Sequence, residues 1–119
     1  MIKVYGYKKW GTVIKSLKFL QENKIEYDFF DFVASQISQE VLEDLIKRSN
    51  EEIGAFFNKN GQLYRQQNLK ERLPELSYEE KLNLLLSDGK MIKRPIIDFG
   101  NQIFLGFSEK NILEYLNNN

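Results

Sequence analysis

The chain has no cysteine and no histidine among its 119 residues. Without cysteine it forms no disulfide, offers no thiolate to a metal and has no thiol chemistry of its own. Without histidine it also lacks the commonest metal ligand and the usual general base near neutral pH. Most routes to catalysis, and any metal centre built on these ligands, are closed by composition alone, and no cofactor is implied. Neither sign of charge is in excess, with 17 basic and 17 acidic residues. Nothing in the overall balance therefore points to nucleic acid or an acidic lipid surface, and such a partner would need a local patch. No apolar run approaches the roughly 20 residues of a membrane span. The first twenty residues are broken by Lys3, Lys8, Lys9, Lys15 and Lys18, unlike an export signal. The expectation is a soluble, cytoplasmic protein with no membrane and no direct nucleic-acid partner.

What is present suits one domain over residues 1–119, with 42% apolar and 13% aromatic residues. Ile2-Lys3-Val4-Tyr5 reads as a strand, and Val13, Ile14, Leu17 and Leu20 recur at helical spacing in a helix from about Thr12 to Asn23. The loop between them, Tyr7 to Val13, ends at a helix N-terminus, where unpaired N–H groups and the dipole favour an anion or a thiolate. Ile25 to Val33 alternates as a second strand, which makes a βαβ unit with parallel strands. Ser38 reads as the N-cap of a helix ending near Arg48, and short helices and turns fit 51–76. Ser77-Tyr78-Glu79-Glu80 is a capping box opening a helix that stops near Asp88-Gly89. Met91 to Asp98 and Gln102 to Gly106 flank a Gly-Asn turn as a hairpin, and Ser108 caps a last helix. The order β-α-β, helical insertion at about 38–90, β-β-α predicts an α/β fold with a four-stranded mixed sheet.

The strand-loop-helix opening, Lys93-Arg94-Pro95-Ile96-Ile97, the Gly-Asn hairpin, Leu105-Gly106-Phe107-Ser108 and the closing helix together resemble the arsenate reductase (ArsC) and Spx family over essentially the whole chain. The resemblance implies a thioredoxin-like fold and a reactive cysteine in the first loop, often as Cys-x-x-Cys. Those two positions are occupied here by Trp10 and Val13, in Trp10-Gly11-Thr12-Val13. It also implies arginines that hold an oxyanion. Arg94 matches the one beside the proline; the middle position falls around Asn58 to Asn60 and the late one near Gly106, so one of three is kept.

The ligand-binding candidates are Lys9, Trp10, Gly11, Thr12, Arg94 and Pro95. Arg94, with Lys93 and the loop lysines, could hold a carboxylate or phosphate against a helix N-terminus, or the lysines could be solvated surface. Trp10 could plug the emptied pocket or anchor a partner. Thr12 has no base to activate it and reads as a helix N-cap. Glu51-Glu52 and Glu79-Glu80 read as first-turn charge and not as an acid/base pair. Resemblance to the thioredoxin superfamily favours a cis Arg94-Pro95 bond.

Three functions stay open. The first is a family member without redox cysteines that binds or regulates a partner, such as the C-terminal domain of the RNA polymerase α subunit bound by Spx-like regulators. The second is an arsenate reductase-like or glutathione-linked oxidoreductase using external thiols. The third is a small anion- or thiol-binding protein, with glutathione as a candidate ligand.

Overall fold

In the computed structural model, which describes residues 2–118, the alternation of the first run sends Val4 to one face of a sheet and Tyr5 to the other. The strands are β1 (Ile2–Gly6), β2 (Tyr27–Asp31), β3 (Ile96–Asp98) and β4 (Ile103–Leu105). They lie in the order β2-β1-β3-β4, with β1 parallel to β2 and antiparallel to β3, and β3 antiparallel to β4. The helices are α1 (Gly11–Glu22), α2 (Gln39–Ser49), α3 (Gln62–Gln66), α4 (Leu69–Arg72), α5 (Tyr78–Ser87) and α6 (Glu109–Asn117). This is the mixed four-stranded α/β sheet that the pattern of runs predicts.

Register explains the two cores. Phe29, Val4, Ile97 and Phe104 stand side by side across the sheet and pack with Phe19 and Leu20 of α1 and Ile112 of α6. The next row, Phe30, Tyr5, Ile96 and Leu105, meets the larger cluster from the helical block, including Leu42, Leu45, Phe56, Leu82 and Leu85. Each fully buried leucine or phenylalanine contributes about 1.5–3 kcal/mol by leaving water, so the helical block is part of the fold's stability and not an appendage.

Local chemistry sets the element ends. Ser38, Ser77 and Ser108 each accept a hydrogen bond from the backbone N–H three residues on, and at Ser77 the Glu80 carboxylate completes the capping box at 2.9 Å. The second strand is shorter than the Ile25 to Val33 run. Ile25 N–H closes the end of α1 on Leu20 O, and the Asp31 carboxylate accepts from Val33 and Ala34 N–H at 2.9 Å, folding the chain into a turn. The strand predicted from Met91 is shorter too: Met91 ends a 3-10 turn, Ile92 makes an isolated bridge to Phe57, and pairing resumes after Pro95. In the Gly-Asn turn, Gly100 takes φ +95°, a left-handed value that suits glycine.

Two capping expectations are corrected. The N-cap of α1 is Trp10 and not Thr12, which lies inside the first turn. Glu51 and Glu52 do not sit in a helix's first turn. Asn50, at φ 60°, ends α2, and the next helical element is a four-residue 3-10 turn starting at Ile53. Glu79 and Glu80 do occupy the first turn of α5.

Candidate functional site

Backbone geometry brings the Trp10 loop to the start of β3. Trp10 N–H donates to Tyr7 O at 3.0 Å, closing a turn at Lys8-Lys9, and Trp10 O accepts from Ile14 N–H as α1 begins. The Trp10 side chain makes no cap hydrogen bond, so the first-turn N–H groups of α1 have no side-chain partner. Its indole is instead a wedge. It meets Tyr7 edge-on at 4.7 Å and Phe32 at 6.5 Å, and packs against the larger core. Val13, at the second family-cysteine position, is fully buried over Gly6, where an added Cβ would stand 2.8 Å from Val13 Cγ2.

Arg94 covers a face of the indole, with its guanidinium carbon 2.8 Å from the ring centroid. The Arg94-Pro95 bond is cis, and Pro95 is buried while Arg94 is half-buried. No carboxylate among the described residues pairs with Arg94; its hydrogen bond is a long one, Nη1 to Lys90 O at 3.4 Å. Burial without a counter-charge brings its pKa down to about 10. Stacking on the indole supplies part of the lost stabilisation as a cation–π contact.

Next to this stack is a cleft of about 540 Å³ lined by Trp10, Thr12, Asn58, Lys59, Lys93 and Arg94, with Glu51, Ala55, Phe57, Asn60 and Leu105 completing the wall. Three cations face one carboxylate there. The 58–60 segment is held in place by Asn58 N–H to Met91 O at 2.8 Å and Lys93 N–H to Phe56 O at 2.7 Å. Of the sequence candidates, Trp10, Thr12 and Arg94 line this cleft. Lys9 is on an exposed turn, Gly11 has open space beside it, and Pro95 is buried beneath Arg94; none of these three is part of the wall. Lys8, grouped with Lys9 as an anion holder, instead has its N–H on the Asp31 carboxylate at 3.4 Å. Burial by itself would raise the Asp31 pKa, but the hydrogen bonds from Ala34, Val33 and Lys8 outweigh it and hold the carboxyl below its usual value.

The family resemblance brings the 58–60 segment to the site as the middle arginine position without singling out Lys59, and sequence reasoning misses Glu51 as a cleft residue. No periodicity aims either residue at the loop; for Lys59 the signal is the apolar pair Phe56-Phe57, which buries beside Ile92 and draws the polar residues after it to the cleft, whereas Glu51 lies before that pair, between α2 and the 3-10 turn at Ile53. A second, apolar cavity of about 420 Å³ lies at the β2 edge among Tyr5, Phe30, Ile37 and Val41, away from this chemistry. Among the described residues no group of carboxylates has a metal-holding arrangement, and no helix is long and apolar enough to cross a membrane.

Comparison with known proteins agrees with this architecture. Residues 5–115 match the ArsC family. YusI of Bacillus subtilis, an uncharacterised protein, is 39% identical over 110 residues, 92% of this chain and 93% of YusI. The global transcriptional regulator Spx 2 of Bacillus anthracis is 22% identical over 116 residues, 98% of this chain and 87% of that protein. A solution structure from Staphylococcus aureus superimposes with TM-score 0.84 at 40% identity, covering 96% of this chain and 97% of that one. A structure from Streptococcus mutans described as a possible arsenate reductase gives TM-score 0.80 at 31% identity, covering 94% and 97%.

Proposed function

The chain belongs to the ArsC family, and from that premise we propose that it is a non-catalytic member that works by binding a partner. The observation that carries this reading is the fate of the reactive position. Trp10 stands where the family has its thiol, wedged between Tyr7, Phe32 and Arg94, in a protein with no cysteine. A hydroxyl such as that of Thr12, with no histidine to deprotonate it, is a far weaker nucleophile toward arsenate or a disulfide than a thiolate. The 22% identity to a global transcriptional regulator gives the partner class its direction: a component of the transcription machinery, with the C-terminal domain of the RNA polymerase α subunit as the first candidate.

The test has two arms. Arsenate with glutathione and glutaredoxin is expected to show no turnover above a protein-free blank, and turnover would overturn the reading. The purified C-terminal domain of the polymerase α subunit is expected to bind in calorimetry. A pull-down from the native host that returns neither a polymerase component nor another stable partner would count against it.

One observation favours a second reading, a small anion- or thiol-binding protein. Arg94, Lys59 and Lys93 share a cleft in which one carboxylate, Glu51, answers them, beside an uncapped helix N-terminus. Titrating Trp10 fluorescence with phosphate, arsenate and glutathione tests it directly, because the indole is under Arg94. A saturable change that Arg94→Ala abolishes would support it; a flat signal with no calorimetric heat would remove it.

A further inference from the structure

The neutral total charge of this chain hides a segregation. Residues 1–24 hold six lysines and one glutamate, whereas residues 25–52 hold eight carboxylates and two cations. The basic part is concentrated on and around α1. Ser16, Phe19 and Leu20 turn inward with Val13, which leaves Gly11, Ile14, Lys15 and Lys18 on the outer face, with Glu22 exposed one turn beyond Lys18. Residues three and four apart share a helix face, so Lys18 lies beside both Ile14 and Lys15. Ile14 is 52% exposed, the most exposed of the large apolar side chains described. Lys9 lies on the exposed turn just before the helix. Among the described residues, no ion pair involves Lys9, Lys15 or Lys18. Lys8, in the same turn, is partly answered by Asp31. The face runs on into the cleft, because Trp10 and Thr12 of the same turn form the wall shared with Lys93 and Arg94.

We propose that the outer face of α1 is a docking site for an acidic segment of a partner protein that carries an apolar side chain. The apolar side chain seats on Ile14, and its flanking carboxylates meet Lys9, Lys15 and Lys18. The proposal rests on the reading of the protein as a binding protein and gives that reading a surface. A lone exposed isoleucine is ordinary, and a few solvated lysines are ordinary too. Their combination is selective: an apolar contact at the centre of a patch, rimmed mainly by lysines that make no ion pair among the described residues, is the anatomy of a protein interface. Nucleic acid fits this face less well. Phosphate and base recognition draws on arginine forks and exposed aromatic platforms. The outer face of α1 has neither.

The probe is a fluorescein-labelled peptide rich in Glu and Asp with one central leucine, followed by anisotropy against the full chain at low and at physiological salt. Saturable binding that weakens with salt is expected. The double variant Lys15→Glu, Lys18→Glu is expected to weaken it at least about tenfold, and Ile14→Ser about threefold. The control Lys70→Glu, Lys110→Glu makes the same change in net charge at exposed positions on α4 and α6 and is expected to leave binding unchanged. Circular dichroism confirms that each variant is folded. Absence of peptide binding, or equal weakening by the two double variants, would overturn the proposal. So would tighter binding of a DNA duplex or of vesicles containing acidic phospholipid. Self-association in sedimentation velocity that Lys15→Glu, Lys18→Glu abolishes would assign the face to the acidic region of a second copy and overturn it as well. Arsenate turnover, by contrast, would remove the non-catalytic reading while leaving the peptide result in force, so the two failures are distinguishable.

Discussion

Arg48 and Arg94 are both drawn partly into the protein, yet they are held in opposite ways. Arg48, on α2, makes a two-pronged contact with Asp98, at 2.9 and 2.7 Å, and also reaches Asp44 at 3.0 Å and Gly100 O at 2.9 Å. Those hydrogen bonds to Asp98 and Asp44 raise its pKa further, and the same contact holds the Asp98 carboxyl below its ordinary value. Arg94 has an indole face and no carboxylate, and its pKa falls. The difference separates structure from function. A guanidinium whose donors are used up ties α2 to β3, whereas one resting on an aromatic face has donors left for a visitor.

The largest expected effect breaks the paired arginine. Arg48→Ala leaves Asp98, 7% exposed, without its cation. The expected loss is about 3 kcal/mol in urea unfolding, the low end for a broken buried pair because Arg48 is itself partly exposed. The pH dependence carries the same signature. The folded pKa of Asp98 lies below the unfolded one, so its contribution is complete above the unfolded carboxylate pKa of about 3.9. It is lost as pH falls through the lower folded value, and in Arg48→Ala the acid limb of the stability curve flattens.

A smaller loss is expected on the unpaired side. Trp10→Ala removes a half-buried wedge and should cost about 2 kcal/mol, less than a fully buried tryptophan would, by the same urea measurement. Arg94→Ala removes a cation–π contact and a long hydrogen bond to Lys90 O, and should cost no more than about 1 kcal/mol. It should nevertheless shift Trp10 emission, because the indole loses its cover. Comparable destabilisation by Arg48→Ala and Arg94→Ala would erase the distinction between them.

The last test changes no residue. With its folded pKa brought down to about 10, Arg94 releases its proton earlier in the folded protein than in the unfolded chain. Burial of its charge therefore opposes folding at neutral pH, and that opposition is relieved as pH rises through about 10. The carbon-13 shift of Arg94 Cζ should titrate near there, while that of Arg48 stays flat across the same range.

These contrasts also mark what local sequence can tell. The capping box at Ser77, the Ser38 and Ser108 caps and the alternation of Val4 and Tyr5 are set by neighbours a few residues away, and they are legible. Arg48 meets Asp98 across 50 residues, and Arg94 meets Trp10 across a longer stretch still; no periodicity encodes such side-chain contacts. Trp10 takes the N-cap position from Thr12 although threonine is the better cap. Packing against Tyr7, Phe32 and Arg94 outweighs the hydrogen bond that a threonine there could have made. Family resemblance brings Arg94, the Trp10 loop and the 58–60 segment into view together, but it does not single out Lys59, whose position depends on how the 53–60 segment docks on Ile92, and it does not reach Glu51.

The stack of Trp10 on Arg94 couples the two positions chemically. A cation half-withdrawn from water is satisfied either by an aromatic face or by an anion, and a neutral thiol is neither. Replacing Trp10 with cysteine therefore leaves Arg94 without its platform and with nothing gained until the thiol ionises. The two residues are coupled, so a thiol at position 10 would not by itself make a thiol enzyme: Arg94 would need an anionic partner at the same time.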